Sequence, residues 1–346
     1  MNLFVEDDWS SGINLVAWRA DSRLGGRELL RGLDIFCGAG GSSAGARVAG
    51  IDIVGAIDMC PTATATYQEN FPETLVLTKR LEDVKLAQLR RRLGSIDILL
   101  SSPECTNHTC AKGAAPRSEK SRATAMHAVE YARAFKPRWI VLENVVHMRP
   151  WSRYRELKRE LEDLGYKLAE QVLDASDFGV PQTRRRLFLV GDRKREPRVV
   201  EWKARGRRPS AKSVLDRRGT WPTSLLHRKE RARDTLLRAQ RAISALGRGV
   251  PFILVYYGSD GSGGWQPLTR PLRTITTIDR FALVEPGDAG LEMRMLQVPE
   301  LRRAMGFEEM FAFSHGTRRD RIRLLGNGVC PPVMEAVVRT LIGKST

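Results

Sequence analysis

Short apolar runs recur up to residue 191, and each run stops abruptly at small or polar residues. The clearest runs span residues 33–36, 51–57, 98–100, 139–142 and 187–191. Stretches with helical spacing lie between them, at 42–49, 121–135 and 152–164. Buried strands that alternate with helices are typical of a parallel sheet covered by helices on its faces. The pattern therefore predicts an α/β fold.

The turns after the first two strands have the composition of a nucleoside-binding site. Glycines at 38, 40 and 41 would let backbone N–H groups approach a ligand. Asp58 follows about twenty residues later, at the spacing where such folds place an acidic residue against ribose hydroxyls. No Gly-Lys-Ser/Thr follows the glycines, and their spacing is not G-x-G-x-x-G, which disfavours a phosphate cradle and an NAD site. We predict an adenosine pocket, with Phe36 beside the base.

Candidate catalytic residues stand directly after the later strands. Cys105 stands just beyond the run at 98–100, at the end of a strand where α/β sheets bind ligands, and is a candidate nucleophile. Residues 106–120 are predicted to form a loop that covers Cys105. Glu143 comes directly after the next strand, and three arginines at 184–186 lie between a Gly-Val-Pro turn and another strand. Arginines held in this way suit phosphates or base edges.

Charge and cysteine content narrow the class of protein. The 346-residue chain has 57 Lys and Arg against 40 Asp and Glu, a formal net charge of +17. Such a surplus favours a nucleic acid partner, because neutralised phosphates release counterions. Five scattered cysteines suggest a reducing cytoplasm. With no leader-like start and no long apolar run, we expect a cytoplasmic protein that does not contact a membrane, and a monomer.

The composition changes after residue 191. Residues 192–249 contain 18 basic and 6 acidic residues. We predict that 192–285 form a smaller domain that contacts the nucleic acid. The main domain is then discontinuous and comprises residues 1–191 and 286–346.

Five motifs, in this order, resemble those of the DNA cytosine-5 methyltransferases. They are DIFCGAGGSS at 34–43, ENV at 143–145, QTRRR at 182–186, RPLRTITT at 270–277 and GNGVCPP at 326–332. The resemblance implies a Rossmann-like methyltransferase domain with a smaller target-recognition domain. It also implies S-adenosylmethionine as cofactor, with S-adenosylhomocysteine as product and no metal, and double-stranded DNA as partner. Such enzymes belong to restriction-modification or phage-defence systems, or act alone.

The resemblance also implies roles for individual residues. Cys105 would add to carbon 6 of a flipped-out cytosine, Glu143 would support ring nitrogen 3, and Arg184 and Arg186 would hold the nucleotide. The implied cofactor-binding residues are Phe36, Cys37, Gly38, Ala39, Gly40, Gly41, Asp58, Met59, Pro103, Asn327 and Gly328. Asp83 is a candidate for the acidic residue that the family places after its third strand.

One motif departs from the family, whose nucleophile normally follows proline directly. Here Glu104 stands between Pro103 and Cys105. A shifted loop would still present Cys105; alternatively Glu104 takes the nucleophile's place and catalysis is impaired, or Cys110 serves instead. Methylation of tRNA, methylation of an exocyclic amine and DNA binding without catalysis are the rival functions. A metal site at Cys105, His108 and Cys110 is disfavoured, because a fourth ligand and paired spacing are missing.

Overall fold

The computed structural model describes residues 23–24, 27–104, 118–201, 208–257 and 263–344. Its main sheet has seven strands. A hairpin of β1 Arg23–Leu24 and β2 Arg27–Glu28 precedes it. The strands of the main sheet are β3 Leu30–Ile35, β4 Ile51–Asp58, β5 Leu75–Thr78, β6 Ile98–Ser101, β7 Trp139–Asn144, β8 Lys167–Asp174 and β9 Arg185–Asp192. Their order is β5-β4-β3-β6-β7-β9-β8, all parallel except β9. The predicted α/β fold is confirmed.

Helices cover both faces of this sheet. The ten helices of the described residues are α1 Gly41–Val48, α2 Pro61–Asn70, α3 Leu86–Leu93, α4 Glu119–Ala123, α5 His127–Phe135, α6 Tyr154–Asp163, α7 Arg233–Leu246, α8 Val298–Ala304, α9 Arg318–Asn327 and α10 Pro331–Ile342. Side chains of α3, α5 and α6 share one core, and those of α1, α2 and α10 share another. The helix predicted at 121–135 is interrupted by a 3-10 turn at Thr124–Met126. There the Thr124 hydroxyl donates to the carbonyl of Ser121, three residues back, and tightens the turn.

A second, antiparallel sheet follows. Its strands are β10 Ser224–Leu225, β11 Phe252–Val255, β12 Trp265–Pro267, β13 Phe281–Gly287 and β14 Gly290–Met295, in the order β10-β14-β13-β11-β12. Because side chains alternate along a strand, Phe252 and Leu254 pack under α7, while Ile253 and Val255 join the core of the main sheet.

The division of the chain into two domains stays a prediction. The predicted boundary at residue 285 falls inside β13, which pairs along its length with β14. A cut there would divide a hairpin. We therefore propose to extend the smaller unit to Met295.

A buried ion pair joins the second sheet to α8. Both guanidinium nitrogens of Arg294 donate to Glu300, at 2.8 and 2.7 Å, and both side chains are buried. Glu300 also accepts the backbone N–H groups of Gln297 and Asp216. The sequence analysis missed this pair, since two charged residues six positions apart normally indicate a solvated surface. No helix among the described residues is long and apolar enough to cross a membrane.

Candidate active site

The glycine turn after β3 is open on one side and tightly packed on the other. Gly38 and Gly40 have φ angles of +52° and +99°, which favour glycine. A Cβ added to Gly38 would meet nothing within 4 Å, whereas one added to Gly41 would lie 2.2 Å from the carbonyl oxygen of Val329. The turn is thus anchored on the last motif and leaves free space beside Gly38.

Asp58 fixes this turn to the end of β4. Its two carboxylate oxygens accept the backbone N–H groups of Gly38, at 3.0 Å, and Cys60, at 2.8 Å. Burial raises the pKa of Asp58, and these N–H donors oppose the shift. The side chain therefore positions the two turns relative to each other. Its contact with a ribose stays a prediction.

Two apolar residues lie close in the chain to Gly38 and Asp58. Phe36 is one of two non-glycine residues with positive φ among the described residues, and its half-buried ring lies 6.4 Å from the ring of His127. Met59 is 59% exposed. A left-handed Phe costs about 1–2 kcal/mol and suggests a functional placement. Free space beside Gly38 with two apolar groups nearby fits an adenosine-bearing cofactor such as S-adenosylmethionine.

A buried carboxyl group supports the turn from below. Asp34 is fully buried and accepts the Ser43 hydroxyl at 2.7 Å, and Ser43 in turn accepts the Tyr67 hydroxyl at 2.7 Å. Burial raises the pKa of Asp34 to about 7. The sequence analysis assigned no role to this network: Asp34 and Ser43 belong to the motif at 34–43, but Tyr67 lies on a different helix and carries no motif signal.

The strand end that leads to the candidate nucleophile is held by β7. Pro103 is buried, and its carbonyl accepts the side-chain amide of Asn144 at 3.1 Å. Glu104 is exposed, and its carboxylate accepts the hydroxyl of Ser121 at 2.7 Å. Cys105, His108 and Cys110 lie outside the described residues, so the predicted role of Cys105 remains a prediction.

Glu143 is buried at the end of β7. Its Oε1 lies 3.2 Å from Nε of Arg186, yet this oxygen has no hydrogen-bond partner among the described residues. Burial raises the pKa of Glu143, while the positive charges of Arg186 and Arg184 oppose the shift. A carboxyl group with a raised pKa can share a proton with a ligand. The structure thus brings together Glu143 and Arg186, as the sequence analysis expected.

The side chain of Arg184 is held by backbone carbonyls of distant segments. Its guanidinium is buried and donates to three backbone carbonyls: Ile275 at 3.0 Å, Gly326 at 2.7 Å and Gly328 at 2.8 Å. These three bonds hold the guanidinium within the protein, and its expected contact with the nucleotide stays a prediction. The sequence could not separate Arg184 from Arg186, since the carbonyls that Arg184 contacts come from segments 91 to 144 residues further along the chain.

The motifs at 182–186, 270–277 and 326–332 converge here. Gln182 is buried; its amide oxygen accepts the N–H of Ile275 at 2.8 Å, and its amide nitrogen donates to the carbonyl of Ala304. Thr183 and Leu272 are joined by a backbone hydrogen bond. Asn327 is exposed at the end of α9, and Arg184 holds the carbonyls on either side of it. The expected contact of Asn327 with the cofactor-side turn stays a prediction, as does the role of exposed Asp83.

Comparisons with known proteins agree with this arrangement. Residues 30–343 match the C-5 cytosine-specific DNA methylase family. The chain is 28% identical to the type II methyltransferase M.XorII of Xanthomonas oryzae pv. oryzae, over 88% of this chain and 83% of that protein. It is 30% identical to the human tRNA (cytosine(38)-C(5))-methyltransferase, over 49% of this chain and 44% of that protein.

A solved structure shows the same fold. The crystal structure of a Spodoptera frugiperda DNMT2 mutant superposes with a TM-score of 0.64 at 18% identity, over 90% of this chain and 99% of that one. The expectation from the five motifs is confirmed at the level of family and enzyme class. This chain belongs to the C-5 cytosine-specific DNA methylase family.

Proposed function

We propose that this protein transfers a methyl group from S-adenosylmethionine to carbon 5 of a cytosine in double-stranded DNA, with Cys105 as the nucleophile. One observation carries the proposal beyond family membership: a buried carboxyl group, Glu143, with a raised pKa lies beside Arg186 at the end of the strand next to β6. Cytosine needs such a group at ring nitrogen 3 while carbon 6 is attacked.

The open side of the glycine turn would hold the cofactor. The backbone N–H of Gly38 is bonded to Asp58. That of Gly40 is bonded to the carbonyl of Cys37, so the N–H of Ala39 would face the polar part of the cofactor. Phe36 and Met59 would contact the adenine. Asp58 holds the turn in shape. When bound, S-adenosylmethionine supplies an electrophilic methyl group without a metal.

The chemistry follows from the character of the ring. The Cys105 thiolate forms a bond to carbon 6, and Glu143 donates or shares a proton at nitrogen 3, so that carbon 5 becomes nucleophilic. Carbon 5 takes the methyl group. A base then removes the proton from carbon 5, the electron pair re-forms the ring double bond, and the bond between carbon 6 and sulfur breaks.

The target base must leave the duplex before it can reach this site. Flipping costs a few kcal/mol. Arg186 lies beside Glu143 and would bind the base oxygen or its phosphate, which offsets part of that cost. The predicted smaller domain, with its basic segment, would bind the surrounding duplex. Membership of a restriction-modification or phage-defence system is part of this proposal.

Trapping on modified DNA tests the proposal. Duplex DNA that contains 5-fluorocytosine in many sequence contexts should give an adduct stable in denaturant, because carbon 5 then has no proton to lose. The wild-type protein and Cys110→Ser should form it in the presence of S-adenosylmethionine, and Cys105→Ser should not. An adduct that persists in Cys105→Ser, or is lost only in Cys110→Ser, would refute the assignment.

A tRNA substrate is the second candidate. It is favoured by the similarity to a human tRNA methyltransferase, which covers 49% of this chain. The net charge of +17 suits either nucleic acid. Transfer of a radiolabelled methyl group to duplex DNA and to bulk tRNA, measured side by side, decides between them. Label in tRNA alone would overturn the DNA assignment.

A further inference from the structure

Exposed cations line the edge of the main sheet opposite the candidate active site. Strands β3, β6 and β7 begin at this edge, and antiparallel β9 ends there. Arg90 and Arg91 lie in the last turn of α3, Lys136 ends α5, and Arg193 and Lys194 follow β9; all five are exposed. We call these five residues the basal cations.

Hydrogen bonds hold the backbone that carries the basal cations. Arg31, at the start of β3, donates to the carbonyl of Leu93 at the end of α3, at 2.7 Å. Arg193 donates to the carbonyl of Lys136, at 3.3 Å. The cations are therefore displayed from a rigid edge rather than from a free segment. From β3 to β9 this edge crosses three strand spacings, or about 14 Å.

The acidic groups at the same edge are held by neighbouring residues, and exposed Glu196 lies 3.4 Å from Lys167 at the start of β8. Asp192 has a fully buried carboxylate that contacts Arg138 at 3.2 Å, and Asp97 accepts the N–H of Arg31 at 2.8 Å. Exposed Glu162 and Asp163 at the end of α6 mark the limit of the patch toward β8. None of the basal cations forms an ion pair with another residue in the part of the chain that the structure describes. Their charge is available to a partner.

Lys136 gives an independent indication that the charge is used. It ends α5 in a left-handed conformation, φ 52°, where glycine is unstrained and lysine is not. The cap itself is a backbone bond from the N–H of Lys136 to the carbonyl of Ala132, and glycine would keep it. The lysine side chain is thus retained at a position where the fold favours its removal.

We propose that the basal cations bind the phosphate backbone of a second DNA segment while the active site holds the first. The edge measures about 14 Å from β3, which is bonded to the end of α3, to β9. This length is close to the major-groove width of about 12 Å, so cations near its two ends can contact the two strands of one duplex. The edge lies one strand length, about 20 Å, from the active site, so a straight duplex in the site does not reach it. DNA is favoured over RNA because the family acts on DNA. The proposal goes beyond the methyl transfer and does not depend on Cys105, but it rests on the proposed function in that the active site binds double-stranded DNA.

Capture of a second duplex tests the proposal. Cys105→Ser protein, without cofactor, is bound to an immobilised duplex, and a short labelled duplex of unrelated sequence is added at several salt concentrations. Protein with intact basal cations should capture it. Lys136→Gly should capture less, with a melting temperature equal or higher, and Arg90→Gln/Arg91→Gln/Lys136→Gly should lose capture. The slope of log affinity against log salt should fall by roughly 0.9 for each phosphate contact removed.

A matched control distinguishes the effect of the basal cations from that of a lower total positive charge. Arg155→Gln/Arg159→Gln removes two exposed arginines from α6, away from the basal edge, and should capture as well as the parent protein. Equal capture by the triple variant, equal loss in the α6 control, or capture of a labelled RNA duplex but not of DNA would each overturn the proposal. Methylation of a short duplex by the triple variant with Cys105 restored should be unchanged, which distinguishes this test from that of the catalytic mechanism.

Discussion

The ends of β3 and β7 both carry a buried carboxyl group, yet they are built in different ways. At β3, one carboxylate oxygen of Asp34 accepts the hydroxyl of Ser43, and Asp58 ties the adjoining turn to the chain 20 residues away. At β7, Glu143 faces the charge of Arg186, and the neighbouring Arg184 holds carbonyls 91 to 144 residues further along the chain. The first region is a local fold of the chain, and the second is a meeting point of distant segments.

This difference separates binding from chemistry. The network of Asp34, Ser43 and Tyr67, together with the carboxylate of Asp58, fixes the backbone of the glycine turn where the cofactor would bind. At the β7 end, burial raises the pKa of Glu143 and the positive charge of Arg186 opposes that rise, so this end holds a group that can give or take a proton. Changes at the β7 end should therefore abolish turnover while the cofactor still binds. Changes at the β3 end should mainly weaken the binding of the cofactor.

The largest effect is expected for Glu143→Gln. Loss of the proton donor should lower kcat by about 10²- to 10⁴-fold with little change in cofactor affinity. Because burial raises the pKa of Glu143, the protonated form is present at low pH and is lost as pH rises through that pKa. The activity of the wild-type protein should fall on that alkaline side, and the residual activity of Glu143→Gln should not. Single-turnover rates against pH, with calorimetry of cofactor binding, measure both. An unchanged alkaline limb in the variant would contradict the assignment.

The next largest effects should distinguish Arg184, which should affect stability, from Arg186, which should affect activity. Arg184→Ala leaves three carbonyls without their donor and should lower the free energy of unfolding by about 3 kcal/mol or more. Arg184→Lys should not restore it, because an ammonium does not reproduce the guanidinium fork. Arg186→Ala should keep its stability within about 1 kcal/mol and lose activity. Urea unfolding curves and methyl-transfer rates, measured for both alanine variants, test this prediction. An equal loss of stability in the two variants would contradict the different roles of Arg184 and Arg186.

The same distinction explains how far the sequence could predict the site. Gly38, Asp58 and the end of β7 follow from patterns within short stretches, so the turn, the adenosine pocket and the position of Glu143 could be proposed from the sequence. Arg184 and Glu300 could not be assigned, because their roles depend on carbonyls and charges brought close only by the tertiary fold. The strand β13 was divided by the predicted boundary for a similar reason: its partner β14 continues an antiparallel hairpin that composition does not reveal.

Two glycines of the same turn offer a smaller, paired test of the β3 end. Gly41→Ala places a Cβ 2.2 Å from the backbone oxygen of Val329 and should cost about 1–3 kcal/mol of stability. Gly38→Ala meets no atom within 4 Å; it should cost about 1 kcal/mol through its left-handed φ and weaken cofactor binding by entering the open space. Thermal unfolding and calorimetric titration with S-adenosylhomocysteine distinguish the two. Full cofactor affinity in Gly38→Ala would place the cofactor elsewhere.

The smallest effect concerns the departure from the family at Glu104. Its carboxylate is exposed and accepts the hydroxyl of Ser121, a residue on the far side of the segment that carries Cys105. If this bond is the whole contribution of Glu104, then Glu104→Ala, Ser121→Ala and the double variant should each lose activity by the same factor, about twofold, because an exposed hydrogen bond contributes roughly 0.5 kcal/mol. Glu104→Gln keeps an acceptor oxygen and should retain most of the activity. A far larger loss in Glu104→Ala than in Ser121→Ala would mean that the carboxylate itself enters the reaction, and the β6 end would then supply a second acid beside Glu143.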